Sequence, residues 1–153
     1  MLTAMLDGCC DFAKLMLSKA GDFYPFGEIA DPDARRSMQG GWNGEEHPDR
    51  RAIYELLRES FAKDVREGRI GAIALAANVT IPSTFKSELP DGIRVHLEAP
   101  GYSRFFYLPY RVKRRTMTQR VFRRPYDVAY GALFSVDVPP EFFGRSGRSL
   151  DWS

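Results

Sequence analysis

Between Gly71 and Arg111 the chain alternates apolar and polar residues in three consecutive runs separated by turn residues, and the rest of the sequence arranges itself around this stretch. Ile73, Leu75, Ala77, Val79 and Ile81 form the apolar face of the first run. Ile93, Val95 and Leu97 form that of the second, with Arg94, His96 and Glu98 between them. A period of two predicts strands, and here it predicts one wet face on each. The third run, Arg104 to Tyr110, carries aromatics on both faces, which suits a strand covered on both sides or one whose outer face meets a partner. Pro82 to Pro90 connects the first two strands, and Asp91-Gly92 and Pro100-Gly101 mark turns.

Upstream the period changes to that of a helix. Leu2, Met5, Leu6, Cys9, Phe12, Ala13, Met16, Leu17 and Ala20 make one stripe, with Gly21 placed to end it in the left-handed conformation. Gly8 is unfavourable inside a helix, which leaves two starts open, one at Leu2 and one at Asp7, whose side chain could cap; either way the stripe is core. Phe23 to Ala30, interrupted by Pro25 and Gly27, reads as a kinked edge strand, because proline donates no ladder hydrogen bond. Asp31-Pro32-Asp33 turns the chain into a second short strand, Ser37 to Trp42, before a loop at Asn43 to Glu46. Pro48 and Asp49 open a second helix whose stripe is Ile53, Leu56, Leu57, Phe61 and Val65, with Arg51, Arg58, Glu59 and Lys63 facing water and Gly68 as its end. After the three strands, Val112 to Arg124 reads as a basic hairpin that brings Val121 and Phe122 back beside Tyr107 to Val112. Tyr130 to Val138 has strand and helix features in equal measure, and its type stays open.

These elements sum to an α+β domain in two layers: an antiparallel sheet of about five strands with two helices packed on it, in the order α-β-β-α-β-β-β. Residues 1–143 form this single domain, and 144–153, rich in Gly, Ser and Arg, form a flexible tail. Length and composition agree, since 153 residues with 44% hydrophobic and 27% charged side chains suffice for one core without disulfide or metal. The net charge of +2 points to no polyanionic partner for the molecule as a whole. Cys9 and Cys10 are adjacent within a helix, where their side chains diverge by about 100°, so no bond between them is expected and the compartment reads as reducing. No run approaches membrane-spanning length and the N-terminus has no secretory signature, so a cytoplasmic location without membrane partners is expected.

Catalytic and metal chemistry find little material. Cys9, Cys10, His47 and His96 occur in none of the spacings that zinc sites use, and no cofactor is expected. There is no nucleophile elbow and no phosphate loop; His96 reads as a solvated residue between Arg94 and Glu98, and His47 as a loop or capping residue before Pro48. No catalytic residue is therefore named, and an enzyme of unrecognised type would need one of these histidines to face a pocket with carboxylates. The basic segment is richer. Arg111, Lys113, Arg114, Arg115, Arg120, Arg123 and Arg124 fall within fourteen residues, close to Phe105, Phe106, Tyr107 and Tyr110. Arginines beside aromatics suit either an acidic protein surface or single-stranded nucleic acid, whereas a solvated sheet edge gives the same pattern without a partner. The expected partner-binding set is Tyr102, Arg104, Tyr107, Tyr110, Arg111, Arg114 and Arg115, with a protein partner ahead of nucleic acid and a homodimer left open.

The segments GDFYPFGEIA, GEEHPD before a helix, and KSELPDGIRVHLEAPGYSRFFYLPYR resemble an uncharacterised family of small bacterial proteins with a G-x-F-Y-P-F-G segment and a glycine-tyrosine turn leading into an F-L-P-Y strand. The resemblance runs from about Phe12 to Phe143. It implies a small cytoplasmic protein with no catalytic set to carry over, and some members look like immunity proteins that neutralise bacterial toxins by binding. Glu88-Leu89-Pro90-Asp91-Gly92 and the basic run after Tyr110 depart from the family pattern and bear on partner specificity. The element order also resembles profilin-like or roadblock-like domains, a likeness of fold to which no function attaches.

Overall fold

A computed structural model describes residues 1–40 and 48–144. The expected end of the second strand at Trp42, the loop at Asn43 to Glu46, His47 and the tail from 145 onward lie outside the described residues.

Helix α1 spans Leu2–Ala20 and ends on Gly21 at φ 73°, whose N–H donates to the Leu17 carbonyl at 2.8 Å. Met5, Cys9, Ala13 and Leu17, spaced by four, are fully buried along one stripe. Of the two open starts the helix takes the earlier, at Leu2, and runs through Gly8. A Cβ at Gly8 would stand 3.0 Å from Glu28 Oε2 and 3.3 Å from Arg36 Nη2, so glycine there admits the ion pair between buried Glu28 and exposed Arg36 beside the helix.

The sheet comprises β1 (Phe26–Ala30), β2 (Arg36–Gly40), β3 (Ala72–Thr80), β4 (Asp91–Ala99), β5 (Tyr102–Val112), β6 (Val128–Tyr130) and β7 (Phe134–Asp137). Their order is β2-β1-β3-β4-β5-β6, with β7 also on β5, and every pairing is antiparallel. The α+β class and the antiparallel sheet carrying both long helices are as expected, with seven strands in place of about five. Phe26 to Ala30 is not an edge: β1 lies between β2 and β3, and Pro25 precedes the ladder, so its missing donor breaks nothing.

The two long helices take opposite faces of the sheet. Ala72, Ala74 and Ala76 of β3 join Ile93, Val95 and Leu97 of β4 and Leu108 and Tyr110 of β5 against α1. Ile73 and Leu75 meet Ile53, Leu57 and Phe61 of α2 (Arg50–Arg66) on the other side. Leu56, expected in the α2 stripe, is exposed. The single wet face expected for the first two strands is thus replaced by cover on both sides. On β4 the alternate residues Arg94, His96 and Glu98 point to the α2 side; His96 and Glu98 are buried there, where Phe142 joins the core.

The C-terminal third departs most from expectation. Val121 and Phe122 do not return along β5. Residues Met117–Val121 form a short helix, α3, because Thr116 and Gln119 make a capping box: Gln119 N–H donates to Thr116 Oγ1 at 3.2 Å and Thr116 N–H to Gln119 Oε1 at 2.8 Å. The segment left open at Tyr130 to Val138 supplies the strand that does return. Tyr130 and Val128 pair with Tyr110 and Val112, and Phe134 to Asp137 pair with Tyr107 to Arg104. The two pieces are separated where Pro109, which lacks an N–H, can only accept, from Gly131 at 2.8 Å.

Candidate protein-binding surface

The expected partner-binding residues separate into two groups. Tyr107 is 4% exposed, its ring stacked on Phe134 at 5.2 Å between centroids and 19° between planes, with Phe85 at 5.5 Å. Tyr110 is equally buried on the α1 side and donates its hydroxyl hydrogen to Asn78 Oδ1; burial pushes its pKa up to about 12. Tyr102 is half-buried against the α1-side core. Arg104 is engaged by Asp137 and by Ser135 Oγ at 3.2 Å, both from β7. The outer edge of β5 is therefore covered by the chain's own β6 and β7. Tyr107 and Tyr110 are interior groups and Tyr102, Phe105 and Phe106 are half-buried, so β5 offers no open row of rings on which bases could stack.

Arg111 and Arg114 are exposed, and Arg115 lies over the Tyr126 ring at 4.1 Å while donating to the Arg124 carbonyl at 3.2 Å. Arg111 is still on β5, opposite Ala129, whereas Arg114 and Arg115 belong to an excursion, Lys113 to Asp127, tied at its base where Lys113 N–H donates to the Asp127 carbonyl at 2.8 Å. Nearby, Tyr126 N–H donates to the Ser18 carbonyl at 2.7 Å. On this excursion α3 presents Met117, Val121 and Phe122 at 75%, 67% and 69% exposure. Arg114, Arg120, Arg123 and Arg124 on the same excursion are exposed as well. Burying a side chain of this size releases roughly 1.5–3 kcal/mol, so three left in water on one capped turn form a surface suited to covering by a partner. Sequence reasoning found the cations and missed the apolar centre. The signal was present in Thr116-Met117-Thr118-Gln119, a helix start instead of a strand.

His96 and Glu98, expected in a solvated row, are instead buried and form a second constellation. His96 Nε2 stands 3.1 Å from Glu98 Oε1 and 3.2 Å from Ser103 Oγ. Nδ1 has no hydrogen-bond partner among the described residues and faces Glu141 Oε1 at 3.6 Å. Glu98 also accepts the N–H groups of Glu141, Phe142 and Phe143 at 2.8, 2.7 and 2.7 Å. Burial by itself would raise the Glu98 carboxyl, but the hydrogen bonds from His96 and the three amides together hold it below the ordinary range. His96 thus borders a cavity of about 400 Å³ with Phe105, Val138 and Glu141 on its walls, the arrangement an enzyme reading asks for. The geometry is that of a tether. An Nε2–H given to the Glu98 carboxylate leaves that nitrogen no lone pair with which to take a proton from Ser103, and the carboxylate is occupied by the C-terminal backbone.

Both cysteines are free and buried, and burial pushes Cys9 up to about 12 and Cys10 up to about 11, so neither is a ready nucleophile. Among the described residues no group of three His, Cys, Asp or Glu side chains could hold a metal ion, and no helix is long and apolar enough to cross a membrane. Comparison with known proteins finds no matching protein-family model, no matching curated protein and no matching solved structure.

Proposed function

We propose that this protein is a non-enzymatic binding module of the immunity-protein kind, which neutralises a toxin by docking the α3 excursion on an acidic surface of it. The observation that carries this reading is the exposure of Met117, Val121 and Phe122 on an excursion that also exposes Arg114, Arg120, Arg123 and Arg124. Apolar anchors and cations exposed on one segment match a partner that offers an apolar recess and carboxylates: the anchors would be buried and the arginines fix register and speed encounter. The sequence resemblance to small bacterial proteins, some of them immunity-like, points the same way. Single-stranded nucleic acid is the weaker alternative, because two of the three anchors are aliphatic and the β5 aromatics are engaged within the chain.

The test takes the product of the gene beside this one as the partner and titrates it calorimetrically with the wild type, Phe122→Ser and Arg114→Glu/Arg120→Glu. Saturable binding that both variants lose supports the reading. No binding by the wild type, or binding unchanged in both variants, sinks it. Affinity for a single-stranded oligonucleotide with a steep salt dependence would transfer the surface to the nucleic-acid reading.

A further inference from the structure

Arg94 leaves β4 on the side covered by α2. Its guanidinium carbon lies 4.5 Å from the Phe105 ring centroid and 5.5 Å from that of Tyr54, and Nη2 donates to the Tyr54 hydroxyl at 2.9 Å. The Nε–H is buried without an acceptor, and no carboxylate lies within 4.0 Å of the guanidinium among the described residues. Arg94 as a whole is half-buried, but an Nε–H withdrawn from water with neither acceptor nor counter-charge carries a cost, and an anion beside it relieves both deficits.

The space beside Arg94 is a cleft of about 340 Å³, within the size range of small-molecule sites. Arg50 and Arg51, from the first turn of α2, line it too, at the positive end of the helix dipole. Glu55 is the one carboxylate among the lining residues, and its oxygens are occupied by Arg58, with Nε–H at 2.7 Å and Nη2 at 3.1 Å. Arg50 is itself engaged by Asp22 through both terminal nitrogens and by the Phe23 carbonyl at 2.9 Å, which leaves Arg94 and Arg51 as the two lining guanidiniums without a carboxylate among the described residues, a pair that suits a ligand of two negative charges. Pro25, Val79 and the Tyr54 ring supply apolar wall, so the ligand has an organic part as well.

From this we infer that the cleft binds the phosphate monoester of a small organic molecule. Arg94 and Arg51 donate to the phosphate oxygens in the paired geometry guanidiniums favour, and the organic group lies against Tyr54 and Val79. The site is separate from α3 and stands or falls independently of the toxin-binding reading.

Phenyl phosphate titrated into the isotope-labelled full chain should shift the Arg94 Nε–H resonance saturably, with inorganic phosphate and benzoate each binding more weakly. Arg94→Met, which keeps an apolar stem between the rings, should weaken phenyl phosphate about ten-fold or more. Arg51→Ala, at an exposed position, should weaken it a few-fold, and Arg111→Ala, outside the cleft, should leave it unchanged. Absence of a saturable shift in the wild type, or equal affinity in Arg94→Met, overturns the site. Benzoate binding as tightly as phenyl phosphate overturns the choice of a phosphate. If Arg94→Met does not fold, Arg51→Ala decides, and undiminished affinity there overturns the proposal.

Discussion

Glu98 Oε1 and His96 Nε2 lie 3.1 Å apart, two positions along the same strand and both buried, beneath residues that arrive 43 positions later in the chain. One carboxylate thereby fastens the C-terminal segment to the middle of the sheet. Glu98→Gln keeps the shape but replaces an acceptor-only group by an amide and removes the charge from four hydrogen bonds. A loss of about 2–4 kcal/mol in denaturant-derived stability is expected, together with faster hydrogen exchange at the amides of residues 141–143. Unchanged exchange at those amides would refute the tether.

Acid should undo the same contact. The folded Glu98 carboxyl lies below its ordinary value of 4.5, so its stabilisation is fully present above that value and is lost as the pH falls through the folded value. Asp22 behaves alike: burial raises it, but Arg50, the Phe23 N–H and Asn78 outweigh that and lower it. Denaturation midpoints measured between neutral pH and pH about 3 should therefore fall, and the gap between wild type and Glu98→Gln should narrow at the acid end. A constant gap would mean that the carboxylate charge contributes nothing.

Tyr107 and Arg114, both expected at a partner surface, should behave in opposite ways. Tyr107→Ala opens a cavity between Phe85, Phe134 and the sheet and should cost about 3–5 kcal/mol. Arg114→Glu, on exposed backbone, should stay within about 0.5 kcal/mol of wild type. Thermal melts of the two separate core from surface, and a stable Tyr107→Ala would argue against the β7 cover.

The α3 cap is separable from its apolar tip. Thr116→Ala removes one side-chain acceptor and should cost about 1 kcal/mol, local to residues 116–122. Phe122→Ser should leave stability nearly unchanged, since that side chain is exposed. Amide exchange confined to 116–122 in the first variant is the expected signature, and a global loss in either would contradict an excursion tied only at its base.

Cys9 and Cys10 should resist a thiol reagent in the native protein and react only on unfolding, because both are buried and their pKa values are raised to about 12 and about 11. Rapid native labelling of either would contradict the α1 packing.

Local pattern carried much of the architecture. The spacing of Met5, Cys9, Ala13 and Leu17 determined α1 and its buried stripe, and the alternation at Ile93, Val95 and Leu97 determined which β4 side chains share a face. The density of arginine after Tyr110 determined that this stretch would meet solvent. Periodicity, however, states which residues point together and is silent on what lies opposite them. Whether Arg94, His96 and Glu98 were wet depended on α2 and on Phe142, and whether Tyr107 was a surface aromatic depended on Phe134. Those contacts join segments distant in the chain, and burial is a property of the partner as much as of the residue. The tertiary structure alone decided that polar β4 residues became a tether and a guanidinium without a carboxylate, and that Met117, Val121 and Phe122, at α3 and its C-terminal end, stayed the most exposed of the large apolar side chains among the described residues.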